Sequence, residues 1–129
     1  MSLKAIYGQN TSAGGTVKLK DAEIYYEIYG SGYPLLLLHG NSQSIRAFKN
    51  QIDEFARFRQ VIAVDTRGHG NSRDMSSGPL NFEMFAEDMK NLLDALDIPK
   101  ADIVGWSDGG IIGIVMALKY PDYVNKLAV

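Results

Sequence analysis

The sequence predicts an α/β protein with a mostly parallel sheet and an N-terminal antiparallel hairpin, and three observations favour this fold class. Residues 16–30 alternate between apolar and polar side chains, as expected for a hairpin with one solvated face. Continuous apolar runs at 35–38 and 61–64 and a short β-branched run at 102–105 are typical of parallel strands covered on both faces. Segments with helical spacing separate these runs, and alternating strands and helices indicate a parallel sheet.

Local signals place the remaining elements. Helical spacing predicts helices over 44–58 and 109–120. Asn81 is a suitable N-cap for a further helix, which should end before Pro99. Residues 126–129 are predicted to begin a fourth strand. The predicted sheet is therefore antiparallel at one edge and parallel beyond it.

The length of 129 residues suits one domain. Residues 1–15 are predicted to be an N-terminal extension with Gly14 and Gly15 as a flexible joint, and residues 16–129 to form the domain portion. The chain is 46% hydrophobic, carries a net charge of −2 and has no cysteine. This composition gives no basis for binding nucleic acid or an anionic membrane. Without a signal-peptide core or a long apolar run, we expect a cytoplasmic protein.

Polar, glycine-containing loops follow Leu38, Val64 and Val104, where the predicted parallel strands end. In open α/β sheets, the loops at the carboxyl ends of the strands form the ligand crevice. We therefore expect these three loops to converge on one site.

The third loop contains the pattern G-x-S-x-G at residues 105–109, between a β-branched run and an apolar helix. This pattern is typical of a nucleophile on a strained strand-to-helix turn, which exposes a serine hydroxyl at the positive end of a helix. The alternative is an ordinary serine N-cap with glycines that serve packing. The context favours Ser107 as a nucleophile.

The first loop, His39-Gly40-Asn41-Ser42, turns towards the same crevice. Backbone N–H groups of Asn41 and of Asp108, directly after the nucleophile, would together form an oxyanion hole. For His39 we favour a structural role, in which the imidazole holds the loop by hydrogen bonds.

The second loop, residues 65–72, allows two interpretations. Asp65 and His69 could form a catalytic pair. We favour a braced loop, in which glycines take left-handed conformations and Asp65 and Arg67 make charge-assisted hydrogen bonds. The sequence has no dinucleotide or phosphate-binding fingerprint, and two histidines without cysteine leave little for a transition-metal site.

The three motifs "LLLLHGNS", "VIAVDTRGHGNSR" and "VGWSDGG", in this order, resemble the α/β-hydrolase superfamily. "GWSDGG" followed by "KYPDYVNKL" is similar to its esterase-like branch, which includes valacyclovir hydrolases. The resemblance implies Ser107 as nucleophile, Asn41 and Asp108 as backbone oxyanion hole, and a structural segment 65–72. It also implies hydrolysis of a small-molecule ester or amide through an acyl-enzyme, without a cofactor.

The sequence departs from the family after Ser107. The family order is serine, then acid, then histidine, but the residues after the elbow contain a single acid, Asp122, and no histidine. We therefore expect an α/β-hydrolase core truncated after the elbow helix and the start of the next strand, and inactive as 129 residues. The alternative is a non-catalytic remnant that binds a small ligand or self-associates through its open sheet edge.

Three residues beside the nucleophile are expected to contact substrate: Ser42, Trp106 and Asp108. If the Asp108 carboxylate faces the pocket, it would favour substrates that carry a cation, such as α-amino esters. The alternative is an acid that only complements the helix dipole.

Overall fold

The computed structural model describes residues 6–129, within which seven strands form one mixed sheet. The strands are β1 (Gly14–Lys18), β2 (Ala22–Tyr29), β3 (Tyr33–Leu38), β4 (Arg59–Val64), β5 (Arg73–Asp74), β6 (Ala101–Gly105) and β7 (Val124–Ala128). The helices are α1 (Ile52–Ala56), α2 (Phe82–Ala95) and α3 (Asp108–Lys119), and short 3-10 turns cover Ile45–Phe48 and Pro121–Tyr123. None of the helices in this part of the chain is long and apolar enough to cross a membrane.

The strand order is β1-β2-β4-β3-β6-β7, with the short β5 paired to β2. β1 and β2 form the antiparallel hairpin, and β2 also pairs antiparallel with β4. β4, β3, β6 and β7 are mutually parallel. The predicted fold class is confirmed, and the carboxyl ends of β3, β4 and β6 meet at the same edge.

Alternate residues of the central strands pack into two separate apolar layers. Leu36 and Leu38 belong to a core that includes the buried sides of α2 and α3. Leu35 and Leu37 belong to a second core with Ile45, Phe48 and Ile52. Because both faces of β3 are covered, its continuous leucine run is explained as a buried parallel strand.

The predicted helix over 44–58 is wrong as a single helix, because it is divided into a 3-10 turn and the five-residue α1. The N–H of Ile45 donates 2.8 Å to the Asp65 carboxylate. The N–H groups of Lys49 and Gln51 each bond to the carbonyl three residues earlier, as in 3-10 structure. The apolar spacing still directs the side chains into the core, but it does not determine which backbone hydrogen bonds form.

The α2 prediction is confirmed at its start, since the Asn81 side chain accepts 2.9 Å from the N–H of Met84 as an N-cap. Directly after the predicted second loop, residues 65–72, lies the two-residue strand β5, which was not predicted. β5 forms because its backbone pairs with the start of β2. Propensity alone gives no signal for so short an edge strand.

Gly14 and Gly15 were expected to form a flexible joint, but they lie in β1 and pair with Glu27 and Tyr26. Close approach explains the glycines, since a Cβ on Gly15 would lie 2.5 Å from the Tyr26 hydroxyl. The division into an extension and a domain at residue 15 stays a prediction.

Glu27 fixes the segment before β1 to the sheet. Its side chain is fully buried and accepts hydrogen bonds of 2.6–3.0 Å from four donors. These donors are the N–H groups of Gly8 and Asn10 and the hydroxyls of Tyr25 and Tyr29. Four donors satisfy the hydrogen-bonding capacity of this buried side chain.

Candidate active site

Ser107 lies at the sharp turn between β6 and α3, with φ +56° and ψ −117°. A residue with a Cβ rarely takes this conformation, which costs about 1–3 kcal/mol. The Ser107 carbonyl accepts 2.9 Å from the N–H of Gly110, so the residue is the N-cap of α3, while its side chain is exposed. The strained strand-to-helix turn predicted from the G-x-S-x-G pattern is confirmed.

The flanking glycines permit this turn because neighbouring backbone lies against them. A Cβ on Gly105 would overlap the carbonyl of Gly109, and a Cβ on Gly109 would overlap the carbonyl of Leu38. The N–H of Trp106 donates 2.9 Å to the same Leu38 carbonyl. The turn is thus held directly against the end of β3.

The three polar loops converge as predicted. His39, Asn41, His69 and Asp108 all line one small cavity of about 30 Å³, at the carboxyl ends of β3 and β4 and the N-terminus of α3. Within residues 6–129, the N–H groups of Asn41 and Asp108 donate to no protein acceptor. These two N–H groups remain the donors expected for an oxyanion hole.

His39 is a structural histidine, as favoured from the sequence. The N–H of Thr66 donates 3.0 Å to its Nε2, so Nδ1 carries the proton and donates 2.7 Å to the carbonyl of Gly40. Burial lowers the pKa of His39 to about 4 and keeps the ring neutral. The imidazole thereby joins the loop after β4 to the loop after β3.

This pKa predicts a loss of stability in acid. The folded-state pKa lies below the unfolded value of 6.5, so the contribution of His39 is complete above pH 6.5. It is lost progressively as the pH falls from about 6.5 to about 4, and the loss amounts to about 3 kcal/mol. Urea unfolding at a series of pH values should show this decline.

The matched control is His39→Gln, which has no group that titrates in this range. The difference in unfolding free energy between the two proteins should change by about 3 kcal/mol across the window. Parallel pH profiles for the two proteins would contradict a neutral buried His39.

His69 also has both ring nitrogens close to loop atoms. Nδ1 lies 3.0 Å from the carbonyl of Arg67, and Nε2 lies 3.4 Å from the side-chain oxygen of Asn41. In the described part of the chain, neither histidine is hydrogen-bonded to Ser107. The structure therefore does not bring Asp65 and His69 together with Ser107 as a catalytic triad.

Asp65 instead braces its loop. Its carboxylate accepts 2.8 Å from the N–H of Ile45 and 2.9 Å from the N–H of Asn71. Burial raises the pKa of Asp65, against the opposing effect of these two donors. Gly68 and Gly70 have φ of +75° and +53°, which confirms the predicted left-handed glycines.

Arg67 extends from this loop to a group of three acids, of which only Asp88 is buried. Its Nε and Nη2 donate 2.9 and 2.8 Å to the two carboxylate oxygens of Asp88 on α2, and both side chains are only 4% exposed. Further bonds of 2.8 and 3.2 Å reach Asp21 and Asp74. The loop after β4 is thus fixed to α2, and the predicted structural role of this segment is confirmed.

The expected substrate contacts lie on two sides of the nucleophile. Asp108 is half-buried and lines the small cavity with Asn41. Trp106 is exposed and borders a separate open groove of about 530 Å³, on the side of α1 and β7. Ser42 is exposed, with φ +62°, in the loop that carries Asn41.

Sequence reasoning missed one side chain of this site, that of Gln43. Its Oε1 accepts 2.8 Å from the N–H of Gly40, directly before the proposed oxyanion-hole residue Asn41. An exposed glutamine in a polar loop gives no sequence signal of such a bond. No group of three or more His, Asp or Glu side chains within residues 6–129 is arranged to hold a metal ion.

Comparison with known proteins agrees with this geometry. A sequence model of the family described as "alpha/beta hydrolase fold" matches residues 33–129. The match covers the loops after β3, β4 and β6, which carry the three motifs. The chain belongs to the α/β-hydrolase family.

Individual relatives are hydrolases by name. The chain is 36% identical over 101 residues to 2-hydroxymuconate semialdehyde hydrolase from Pseudomonas sp. (strain CF600), covering 76% of this chain and 36% of that protein. It is 33% identical over 130 residues to serine hydrolase BPHL from Homo sapiens, covering 97% of this chain and 44% of that protein. The second match supports the resemblance to the esterase-like branch.

A solved structure of a hydrolase from Pseudomonas aeruginosa PA01 superimposes with a TM-score of 0.85 at 30% identity. That match covers 92% of this chain and 45% of the other. The chain thus spans less than half the length of each of these proteins.

Proposed function

We propose that this protein hydrolyses a carboxylic ester or amide through an acyl-enzyme on Ser107. One observation carries the proposal: an exposed serine at φ +56° is the N-cap of α3, and the neighbouring N–H groups of Asn41 and Asp108 have no protein acceptor within residues 6–129. Membership of the α/β-hydrolase family supports a hydrolytic activity, and the position of Ser107 at the elbow supports its role as the nucleophile.

In the proposed reaction, the Ser107 oxygen forms a bond to the substrate carbonyl carbon while a base takes the serine proton. The carbonyl oxygen becomes negative and accepts hydrogen bonds from Asn41 and Asp108. The protonated base then gives its proton to the leaving alcohol or amine, and the C–O or C–N bond breaks. Attack by water on the acyl-enzyme releases the acid and restores Ser107.

We propose that the base and its acid partner are not among these 129 residues. Both histidines of the sequence are engaged in loop hydrogen bonds, and the named relatives are more than twice as long as the matched region. Residues 16–129 would then be the N-terminal portion of a larger α/β-hydrolase domain. The 129-residue chain by itself would be inactive.

A fluorophosphonate probe combined with intact mass measurement tests this proposal. The natural protein should gain one label, on Ser107, and have a mass well above the 14.2 kDa of these residues. A natural protein of 14.2 kDa without a label would contradict the proposal. It would favour the alternative, a non-catalytic protein that binds a small ligand or self-associates through the exposed edge of β7.

We further propose that the Asp108 carboxylate selects substrates with a cation near the scissile bond. Its position in the cavity beside Asn41 supports this role. Asp108→Asn keeps the backbone N–H but removes the charge, so kcat/KM for an α-amino ester should fall by about tenfold. The same ester with an acylated amine is the control, and its kcat/KM should not change. Equal effects on both esters would contradict charge selection.

A further inference from the structure

We propose that Gln43 is a positioning residue of the oxyanion hole, whose side chain fixes the direction of the Asn41 N–H. The inference rests on the proposed function, because it assigns a role within the same site. The inference is carried by the hydrogen bonds that the N–H and carbonyl groups of Gly40 make.

Residues 40–43 form a tight turn that needs support. The N–H of Gln43 donates 3.2 Å to the carbonyl of Gly40, which closes the turn through the main chain. Ser42, at the third position, has φ +62°. Type II turns require a positive φ at this position and usually have glycine there, so the serine makes this turn intrinsically less favourable.

The Gln43 side chain closes the same turn a second time. Its Oε1 accepts 2.8 Å from the N–H of Gly40. The carbonyl of Gly40 also accepts 2.7 Å from Nδ1 of His39. Both backbone polar groups of Gly40 are therefore occupied, and Asn41 has the next N–H along the chain.

The Gln43 side chain therefore determines which N–H group, that of Gly40 or that of Asn41, faces Ser107. Without the side-chain acceptor, the Gly40 N–H would lose its partner, and the turn could rotate to satisfy it. Such a rotation would move the neighbouring Asn41 N–H away from the position of the oxyanion. The side chain thus excludes a competing arrangement of the two N–H groups.

The turn also lies directly against Ser107. A Cβ on Gly40 would lie 2.8 Å from Oε1 of Gln43 and 3.3 Å from Cβ of Ser107. The Gln43 amide and the nucleophile therefore flank the same glycine. Because the turn contacts Ser107 directly, any shift of the turn changes the distance between the Asn41 N–H and the Ser107 hydroxyl.

A role in core packing does not explain Gln43, because the residue is exposed. It lies at the rim of the open groove together with Gln51, which is also exposed. Gln51 precedes α1 and makes no side-chain capping bond. Gln51 is therefore a matched control of the same residue type on the same surface.

The test replaces each glutamine with methionine in the natural protein, since methionine has similar length but is only a weak acceptor. An oxyanion-hole donor acts in the transition state, so Gln43→Met should lower kcat by about 10- to 100-fold and leave KM unchanged. The rate of Ser107 labelling by a fluorophosphonate should fall in parallel. Gln51→Met should leave kcat, KM and the labelling rate at their wild-type values.

The outcomes separate this inference from the proposed function. If the wild-type protein is active and Gln43→Met has an unchanged kcat, the positioning role is wrong while the proposed function stands. A change confined to KM, or an equal loss in Gln51→Met, would also overturn the positioning role. If the wild-type protein neither turns over an ester nor takes a label on Ser107, the proposed function fails and this inference fails with it. Thermal melting of both variants should show that each remains folded.

Discussion

Replacing Ser107 with alanine in the natural protein is expected to lower kcat for an ester substrate by about 10⁶. The loss is this large because the covalent step has no other nucleophile in the proposed mechanism. Steady-state kinetics on a p-nitrophenyl ester, with the fluorophosphonate label as a second readout, measure the effect. Ser76→Ala, in an exposed loop, is a control that should keep full activity.

A second substitution at the same position separates chemistry from backbone strain. Ser107→Gly should be as inactive as Ser107→Ala but more stable than it by about 1 kcal/mol, because glycine tolerates φ +56°. Urea unfolding of the two variants gives this difference. An alanine variant with substantial remaining turnover would refute the nucleophile assignment, and equal stabilities would refute the strain.

Replacing Arg67 with alanine is expected to lower the free energy of unfolding by about 3–5 kcal/mol. The substitution leaves the Asp88 carboxylate buried on α2 without the two hydrogen bonds that it accepts from the guanidinium. It also releases Asp21 and Asp74, but these are more exposed and should contribute less. Chemical denaturation of the two proteins at neutral pH measures the loss.

A double variant identifies the cause of that loss. Arg67→Met combined with Asp88→Leu removes both charges, and it should recover most of the stability because no unpaired carboxylate remains buried. A double variant as unstable as Arg67→Ala would show that packing, rather than the unpaired charge, is responsible.

The sequence was sufficient to predict the sheet class and the turn at Ser107. Continuous apolar runs identify β3 and β4, and a short β-branched run identifies β6, because both faces of these strands are buried. The G-x-S-x-G pattern identifies the elbow because Gly105 and Gly109 are packed against backbone. In both cases the residue type is dictated by its immediate surroundings, so the pattern is visible along the chain.

Features that depend on distant partners were not predictable in this way. The segment 44–58 starts as a 3-10 turn, at which the N–H of Ile45 bonds to Asp65 in a separate loop. The placement of β2 beside β4 follows from packing of the whole sheet. Glu27 and Gln43 are an ordinary acid and amide in the sequence, and only the donors around them reveal their roles.

The site itself was predicted only in outline. The convergence of Asn41 and Asp108 followed from the edge at which the parallel strands end. The tautomer of His39 did not, because it is set by the donor from Thr66 on another loop. Hydrogen bonds between separate loops are therefore the feature of this site that only the structure reveals.

The chain contains a single tryptophan, and that residue is Trp106, next to Ser107 in sequence and 63% exposed. Its indole emission therefore comes from one known place at the nucleophile elbow, without contributions from other tryptophans in these residues. Occupancy of the elbow or movement of the neighbouring turn can each be followed as a change in intrinsic fluorescence. These residues thus have an optical probe of their own, and ligand titrations on them require no attached dye.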